Sequence, residues 1–599
     1  MKFGYHGRYL RIDLSTRESR AVEIDPKRLD RFLGGAGLGT ALLLEETSGC
    51  YDALGPEAPL IFVFSPLVGS PLTTSAKFSI VAKSPLTHRI NDSLSSSHFA
   101  IAGKRTGFDA ICLVGACPGP TALVIRNDTV MFEDAQDLWG LSSEQASERF
   151  RRQVGSSFRV AAIGPAGENG VRYATISNEG RHAGRGGLGA VMGSKRLKAL
   201  AVSGDQLTEF AAPKELIAYS KNLSERSFGE ATAKYRELGT VSNLLTFNRL
   251  GTLPTRNFQE SSFSDAEAIA PESLSATRTR SSCAACTIGC EHIFAPQKDR
   301  SSPVRMEYEN LYALGPMCGI NDPEVILEAS SYCDAAGIDT VSAGVCIAFA
   351  MECSERGLIE ADGLSFGDGK KLLVLLQAIV SRETDLGDLL SQGVRAASRK
   401  IGQGSEEFAI HVKGLEFPGY DPRSLQTMAL GFAVGARGAD HNKSGAYQAD
   451  FSPGVDRLNP GNRAAQMAVE TEDEASIMDS LILCKFLRGV FEDRMSSMAT
   501  MLELVTGANF NSESLKERAA GIVTAKKLFN IRQGWTAAED TLPDRFFNLP
   551  VRGTPSDGAI LNREVLRNQI QAYYSLRKWS PSGVPTEDAL KRHELNWAT

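Results

Sequence analysis

Over most of the first two hundred residues apolar and polar positions alternate with a period of two, and beyond that the spacing lengthens to that of helices. GRYLRIDLS (Gly7–Ser15) alternates as a half-buried strand does. LIFVFSPLVG (Leu60–Gly69) and KFSIVAKSP (Lys77–Pro85) are short apolar or alternating runs bounded by Pro, Gly and Ser. DAICLVGACPG and TALVIRNDTVMFED, beginning at Asp109 and Thr121, continue the pattern. Strands at this density predict packed sheets or a barrel-like unit, interrupted by helical pieces near Asp25–Leu33 and Ser142–Val154. After about Gly204, PKELIAYSKNLSERS, SDAEAIAPESLSA and PEVILEASSYCDAAG carry helical spacing with Pro, Ser or Asp at their starts. TVSAGVCIAFAMECSERG, KKLLVLLQAIVSRE, EASIMDSLILCKFLRGVFED and LNREVLRNQIQAYYSLRKW extend that character to the end of the chain. The expected architecture is α+β and multidomain: a β-rich unit over 1–207, then two mainly helical units over 208–413 and 414–599. The Gly/Ser/Asp-rich stretch Gly431–Val455 is the expected functional loop region.

Composition narrows the function. The 599 residues are 42% hydrophobic and 23% charged, ordinary for a folded protein in water. The longest apolar stretch, around Leu60–Val68, is short and contains a proline, so no bilayer-spanning helix is expected. A net charge of −6 without a basic run argues against a nucleic-acid partner. The opening MKFGYHGRYL lacks the apolar core of a secretory signal, and cytoplasmic residence is the expectation. With eleven cysteines, an odd number, metal or redox use becomes the leading question rather than a disulfide framework. The 56 glycines show no repeat, so they are expected at turns and at close backbone approaches.

Two concentrations of chemistry stand out. SSCAACTIGCEH spaces Cys283, Cys286 and Cys290 as C-x2-C-x3-C, which lets three thiolates converge on one metal centre. On spacing alone a [4Fe–4S] cluster with a fourth cysteine from elsewhere leads. A zinc site completed by His292 and a radical-SAM cluster remain alternatives. ISNEGRHAGRGGLGAVMGSKRLKALAV (Ile176–Val202) combines six glycines with Arg181, Arg185, Lys195 and Arg196. Such a segment can wrap backbone N–H groups and guanidinium forks around phosphate, although it is neither a P-loop nor a dinucleotide fingerprint. A tight turn system with a solvated basic face would look similar.

Segments in order along most of the chain resemble the tungsten-containing aldehyde:ferredoxin oxidoreductases. They are GYHGRYLRIDLS, FLGGAGLG, AKSPLT, EGRHAGRGGLGAVMGSKRLKA, LPTRNF, the cysteine motif, EYENLYALG, DAAGIDT and HVKGLEFPGY. The resemblance implies an N-terminal β base of that family's type under two helical domains. It implies a bis-pterin centre holding tungsten or molybdenum, Mg²⁺ between the pterin phosphates and a [4Fe–4S] cluster. The cluster ligands it implies are Cys283, Cys286, Cys290 and Cys484, the last in a D-x4-C pattern whose usual glycine is Ile482 here. Asp334, Asp339 and Asp479 match carboxylates that accept from pterin N–H groups. Arg181, Gly184 and Arg185 match the phosphate loop, while Ala183 and the stretch about Leu94, with Ser95 and Ser96, match the magnesium-carbonyl positions. Lys77 replaces a family arginine between cluster and pterin, and Lys485 joins the cofactor set. Glu309 and His441 match the active-site proton carriers, with Tyr308, Arg437 and Asp440 beside them.

The implied reaction oxidises a small aldehyde plus water to a carboxylic acid, with electrons leaving to a ferredoxin or a dedicated iron–sulfur subunit, in a chain that forms a homodimer. The alternative is a low-potential tungstopterin reductase of an aromatic or other acyl-CoA thioester. That branch, which includes benzoyl-CoA reductase, makes Cys318 a candidate tungsten ligand.

Overall fold

The computed structural model describes residues 3–274, 278–296, 303–361 and 363–599. Its first part holds two six-stranded sheets. One contains β1 (Arg8–Asp13), β2 (Glu18–Glu23), β3 (Leu60–Val63), β4 (Lys77–Lys83), β5 (Ile90–Ser96) and β6 (Ala110–Val114), in the order β2-β1-β6-β3-β4-β5. The other contains β7 (Thr121–Arg126), β8 (Thr129–Asp134), β9 (Arg159–Ala162), β10 (Ile176–Asn178), β11 (Arg181–Ala183) and β12 (Leu197–Ser203), in the order β11-β10-β9-β12-β7-β8. Each sheet has one parallel pair, β1 with β6 and β7 with β12, and antiparallel neighbours otherwise.

The period of two decides what each face covers. On β3, Leu60 and Phe62 enter an apolar layer shared with the second sheet, and Ile61 and Val63 face the helix Gly35–Glu46. On β7, Leu123 and Ile125 enter the shared layer, and Ala122 and Val124 pack under the helix Ser143–Val154. That helix and Pro26–Phe32 lie where helical spacing places them.

The helix Gly35–Glu46 lies outside that pattern, because its glycines lower helix propensity and its first ten residues are all buried. Packing overrides propensity here. A Cβ on Gly35 (φ +42°) would stand 2.4 Å from the Asp479 carbonyl oxygen, and one on Gly39 2.4 Å from Val81 Cγ2. The glycines let this helix sit directly on β4 and on the long helix Ala464–Leu481.

Helices dominate after residue 204, with two additions. A small antiparallel sheet of Arg278–Ser281, Glu291–Phe294 and Val304–Met306 carries the cysteine motif in its first hairpin loop. The described part of SDAEAIAPESLSA, through Leu274, forms two single turns, Ala266–Ile269 and Pro271–Leu274, and its last two residues lie outside the described residues. One apolar core runs through this region from Val241 to Trp579. Phe417 stacks edge-on against both Phe258 and Phe432 within it, on either side of position 413. Lys413 is itself buried, 2.8 Å from Asp540. No helix among the described residues is long and apolar enough to cross a membrane.

Candidate active site

A cavity of about 450 Å³ lies where the N-terminal sheets meet the helices. Eleven of the fourteen expected catalytic and cofactor residues line it: Lys77, Leu94, Arg181, Gly184, Arg185, Glu309, Asp334, Asp339, His441, Asp479 and Lys485. Three do not. The Ser95 hydroxyl meets the Asn178 amide at 2.9–3.1 Å, and the Ser96 hydroxyl donates to the Ala76 carbonyl at 3.1 Å. Ala183 is buried in β11 opposite Ile176.

Cys318 is fully buried beneath the helix Thr340–Glu355, its thiol 3.4 Å from the carbonyls of Ala313 and Gly344. Burial pushes that thiol well above its usual range, and it does not reach the cavity lining. The structure thus places Cys318, the expected candidate tungsten ligand, in the core and outside the lining of that cavity.

One wall is built on arginine. The β10–β11 hairpin projects Arg181 and His182, and the loop after it turns Arg185 inward. Gly186 and Gly187 make that turn (φ +95° and +81°); a Cβ on Gly187 would lie 1.9 Å from the Arg172 carbonyl oxygen. Arg181 Nη2 stands 2.8 Å from Glu291, which also pairs with Arg305. His182 Nε2 faces Asp334 at 3.5 Å. Burial raises the Asp334 pKa, with His182, Arg305 and Arg181 pulling against it. Asp339 caps the helix Thr340–Glu355 through Ser342 N–H and lies 3.6 Å from Arg185 Nε.

The other wall is built on lysine. Asp479, near the end of the helix Ala464–Leu481, meets Lys443 at 2.9 Å on one oxygen and Lys485 at 2.7 Å on the other. Lys443 also contacts Asp92 on β5, which Lys526 approaches at 3.3 Å. Burial alone would raise the Asp479 pKa, but the two lysines outweigh it and hold the carboxyl far below its usual range. Asp440 is likewise held low, against burial, by Arg437 at 2.7 Å and by Arg185.

Between the walls, Glu309 Oε2 accepts from the Gly419 N–H at 2.9 Å, and Glu309 Oε1 faces His441 Nε2 at 3.7 Å. Burial pushes Glu309 up to about 7, with the Gly419 N–H and Arg185 opposing it. Burial brings His441 down to about 4, so its ring is neutral near pH 7. Both groups also line a second chamber of about 640 Å³ with an aromatic wall, in which the Tyr420 ring lies 4.7 Å from His441 and 5.4 Å from Tyr447.

Cys283, Cys286, Cys290 and Cys484 are free thiols. Cys286, Cys290 and Cys484 border one apolar cluster, and all four sulfurs act on the Lys77 ammonium, raising its pKa against burial. Thr73 and Thr74 tie the loops together: Thr287 N–H donates to Thr73 Oγ1 at 3.0 Å, Thr74 N–H to the Ala285 carbonyl at 2.6 Å, and Cys484 N–H to Thr74 Oγ1 at 3.3 Å. Among the described residues no three His, Cys, Asp or Glu converge closely enough for a single metal ion. His292, the fourth ligand of the zinc alternative, has its Nε2 3.2 Å from the Arg236 carbonyl.

The main cavity matches an anionic, multiply hydrogen-bonding ligand. Arg185 Nε, Arg437 Nε, Glu309 Oε1 and His441 Nδ1 are buried with no hydrogen-bond partner among the described residues. Asp92, Lys443, Lys526, His182, Arg305 and Glu291 were not expected here. Asp92 and Lys443 carry a sequence signal, charge inside the polar stretches NDSLSSSH and GADHNKSG, and His182 lies within the glycine–arginine segment, whereas Glu291, Arg305 and Lys526 carry none.

Family models for the aldehyde ferredoxin oxidoreductase N-terminal domain and for its domains 2 and 3 match residues 9–204 and 218–595. The chain is 34% identical to a tungsten-containing aldehyde ferredoxin oxidoreductase of Thermococcus kodakarensis, over 98% of each chain. It is 29% identical to the WOR-like subunit of an aliphatic sulfonate oxidoreductase of Pyrococcus furiosus, over 98% of this chain and 97% of that one. The active-site complex of benzoyl coenzyme A reductase with 1,5-dienoyl-CoA shares the fold (TM-score 0.85, 23% identity, 100% of this chain and 98% of that chain).

Proposed function

The chain belongs to the aldehyde ferredoxin oxidoreductase family, and on that premise we propose that it oxidises an aldehyde with water to a carboxylic acid, releasing two protons and two electrons that pass to a ferredoxin. The observation that carries this reading is the Glu309–His441 pair, 3.7 Å apart, with one buried atom of each left unpartnered at the cavity. The residues suited to hold a tungsten bis-pterin are Asp334, Asp339 and Asp479 toward pterin N–H groups and Arg181, Gly184 and Arg185 toward phosphates. Leu94, which lines the cavity, suits a magnesium ion through its carbonyl, whereas Ala183 does not reach the lining. Cys283, Cys286, Cys290 and Cys484 suit a [4Fe–4S] cluster, with Lys77 between cluster and pterin. When bound, the pterin-held metal supplies a Lewis acid and an acceptor for two electrons, and the cluster supplies a one-electron exit.

The chain's own part is proton handling. Glu309, held by the Gly419 N–H, takes a proton from water at Oε1, because a carboxyl titrating near neutrality is matched to that task. Neutral His441, 3.7 Å from Glu309, donates its single ring N–H to the substrate carbonyl oxygen. Aromatic rings of the second chamber exclude water around the organic part of the substrate. The test is an anaerobic viologen-linked assay with several aldehydes on protein loaded with tungsten and on protein freed of it. Oxidation that vanishes with the metal supports the reading; oxidation that persists without tungsten or molybdenum overturns it.

A further inference from the structure

The aromatic chamber contains a cation that proton handling at Glu309 does not use. Arg488 is only 6% exposed and lines the chamber that Glu309 and His441 share. Its Nη1 donates to the Tyr447 hydroxyl at 3.1 Å, which fixes the guanidinium plane. Its Nε and Nη2 are buried and have no hydrogen-bond partner among the described residues. Those two atoms form one edge of the guanidinium, with parallel N–H groups, and that edge is the one that grips a carboxylate bidentately.

Neighbouring charges do not satisfy it. Arg494, beside it, pairs with Glu474, and Lys234 Nζ donates to Asn243 at 2.7 Å. The acidic lining residues are Glu307, bonded to Thr240, and Glu309. Tyr447 packs on His441 with ring centroids 5.6 Å apart, so one aromatic residue separates the free guanidinium edge from the proton-transfer pair. A buried cation with two idle donors carries a desolvation cost that an incoming anion removes.

Resting on the aldehyde reading above, we propose that the substrate is an aldehyde carrying a carboxylate, which the Nε–Nη2 edge of Arg488 grips while the aldehyde carbon is presented to Glu309 and His441. Arg488 is then a specificity-determining residue, and its effect falls on KM more than on kcat.

The test compares kcat/KM of the metal-loaded enzyme for 4-carboxybenzaldehyde against benzaldehyde and for succinate semialdehyde against butanal. Wild type, Arg488→Gln and Arg488→Lys are used, with calorimetric binding of terephthalate and succinate to each. Wild type is expected to prefer the carboxylate partner in at least one pair. That preference, and the affinity for the matching dicarboxylate, fall about 10- to 100-fold in Arg488→Gln, and Arg488→Lys recovers part of both. No preference in either pair, or a preference and affinity unmoved by Arg488→Gln, overturns the proposal. So does a shifted cluster reduction potential in Arg488→Gln with the preference intact, which assigns the cation to the cluster. If wild type oxidises none of the four aldehydes, the oxidase reading fails by itself. Dicarboxylate binding that Arg488→Gln abolishes then still supports the anion site, and binding that it leaves intact refutes it.

Discussion

Asp334 and Asp479 border the same cavity from different walls, and burial works against the charge of both. Asp334 ends with a raised pKa because its near partner, His182, stands off at 3.5 Å and the nearby arginines Arg181 and Arg305 are committed to Glu291. Asp479 ends far below the carboxylate range because Lys443 and Lys485 each touch one of its oxygens, at 2.9 and 2.7 Å. The number of cations nearby is similar; what differs is whether they are already spent on another anion. The lysine wall is thereby a closed network joining β5, the His441 segment and the helices Ala464–Leu481 and Ser512–Arg532. The arginine wall keeps donor capacity for a ligand.

The strongest way to break this contrast is to neutralise each carboxylate. Asp479→Asn leaves two buried ammonium groups short of a partner and is expected to cost about 3–5 kcal/mol in urea unfolding. Asp334→Asn, whose side chain is 34% exposed, is expected to cost under about 1 kcal/mol. Equal losses would dissolve the distinction between the walls.

Glu309, between them, tests whether the cavity is poised for proton transfer. Glu309→Gln is expected to lower kcat/KM about 100-fold or more while the protein still folds. The sign of the pH effect follows from the raised pKa. The ionised carboxylate is the base, so wild-type kcat/KM rises with pH up to about 7 and then levels. It falls roughly tenfold per unit on the acid side, and the Gln variant loses that limb. A flat wild-type profile between about pH 5.5 and 8.5 removes Glu309 as the base.

The smallest change probes how the lysine wall is seated. Gly35→Ala places a methyl 2.4 Å from the Asp479 carbonyl oxygen and is expected to cost about 1–3 kcal/mol by forcing the two helices apart, read as a lowered Tm. An unchanged Tm would mean that the helix carrying Asp479 is held by its lysines alone.

Much of the fold was legible in residue order. The strands at Gly7–Ser15, Leu60–Gly69 and Lys77–Pro85 and the helix in Ser142–Val154 follow from periodicity, since burial of one face imposes it. Gly35–Glu46 was not legible, because a helix buried all round has no polar stripe. At the site, Arg181, Arg185, Glu309 and His441 could be named from motifs and do line one cavity. Ser95, Ser96 and Cys318 could be named too, yet their side chains turn toward Asn178, Ala76 and the core. Residue type and spacing say which groups are available, but in a strand only alternate side chains face a given side, and a one-residue offset exchanges them.

By itself, then, the sequence determined the family, the β-then-α order, the C-x2-C-x3-C motif and the concentration of glycine and arginine over Ile176–Val202, since each is written in residues close together in the chain. Tertiary structure alone decided that Asp92, Lys443, Asp479, Lys485 and Lys526 form one charge network, that Cys318 is a core thiol, and that Arg488 holds an idle guanidinium edge in the chamber that Glu309 and His441 line. The reason is electrostatic. What a buried charge does is set by which partners stand within a few ångström and which of them are already spent, and residues hundreds apart in the chain supply those partners.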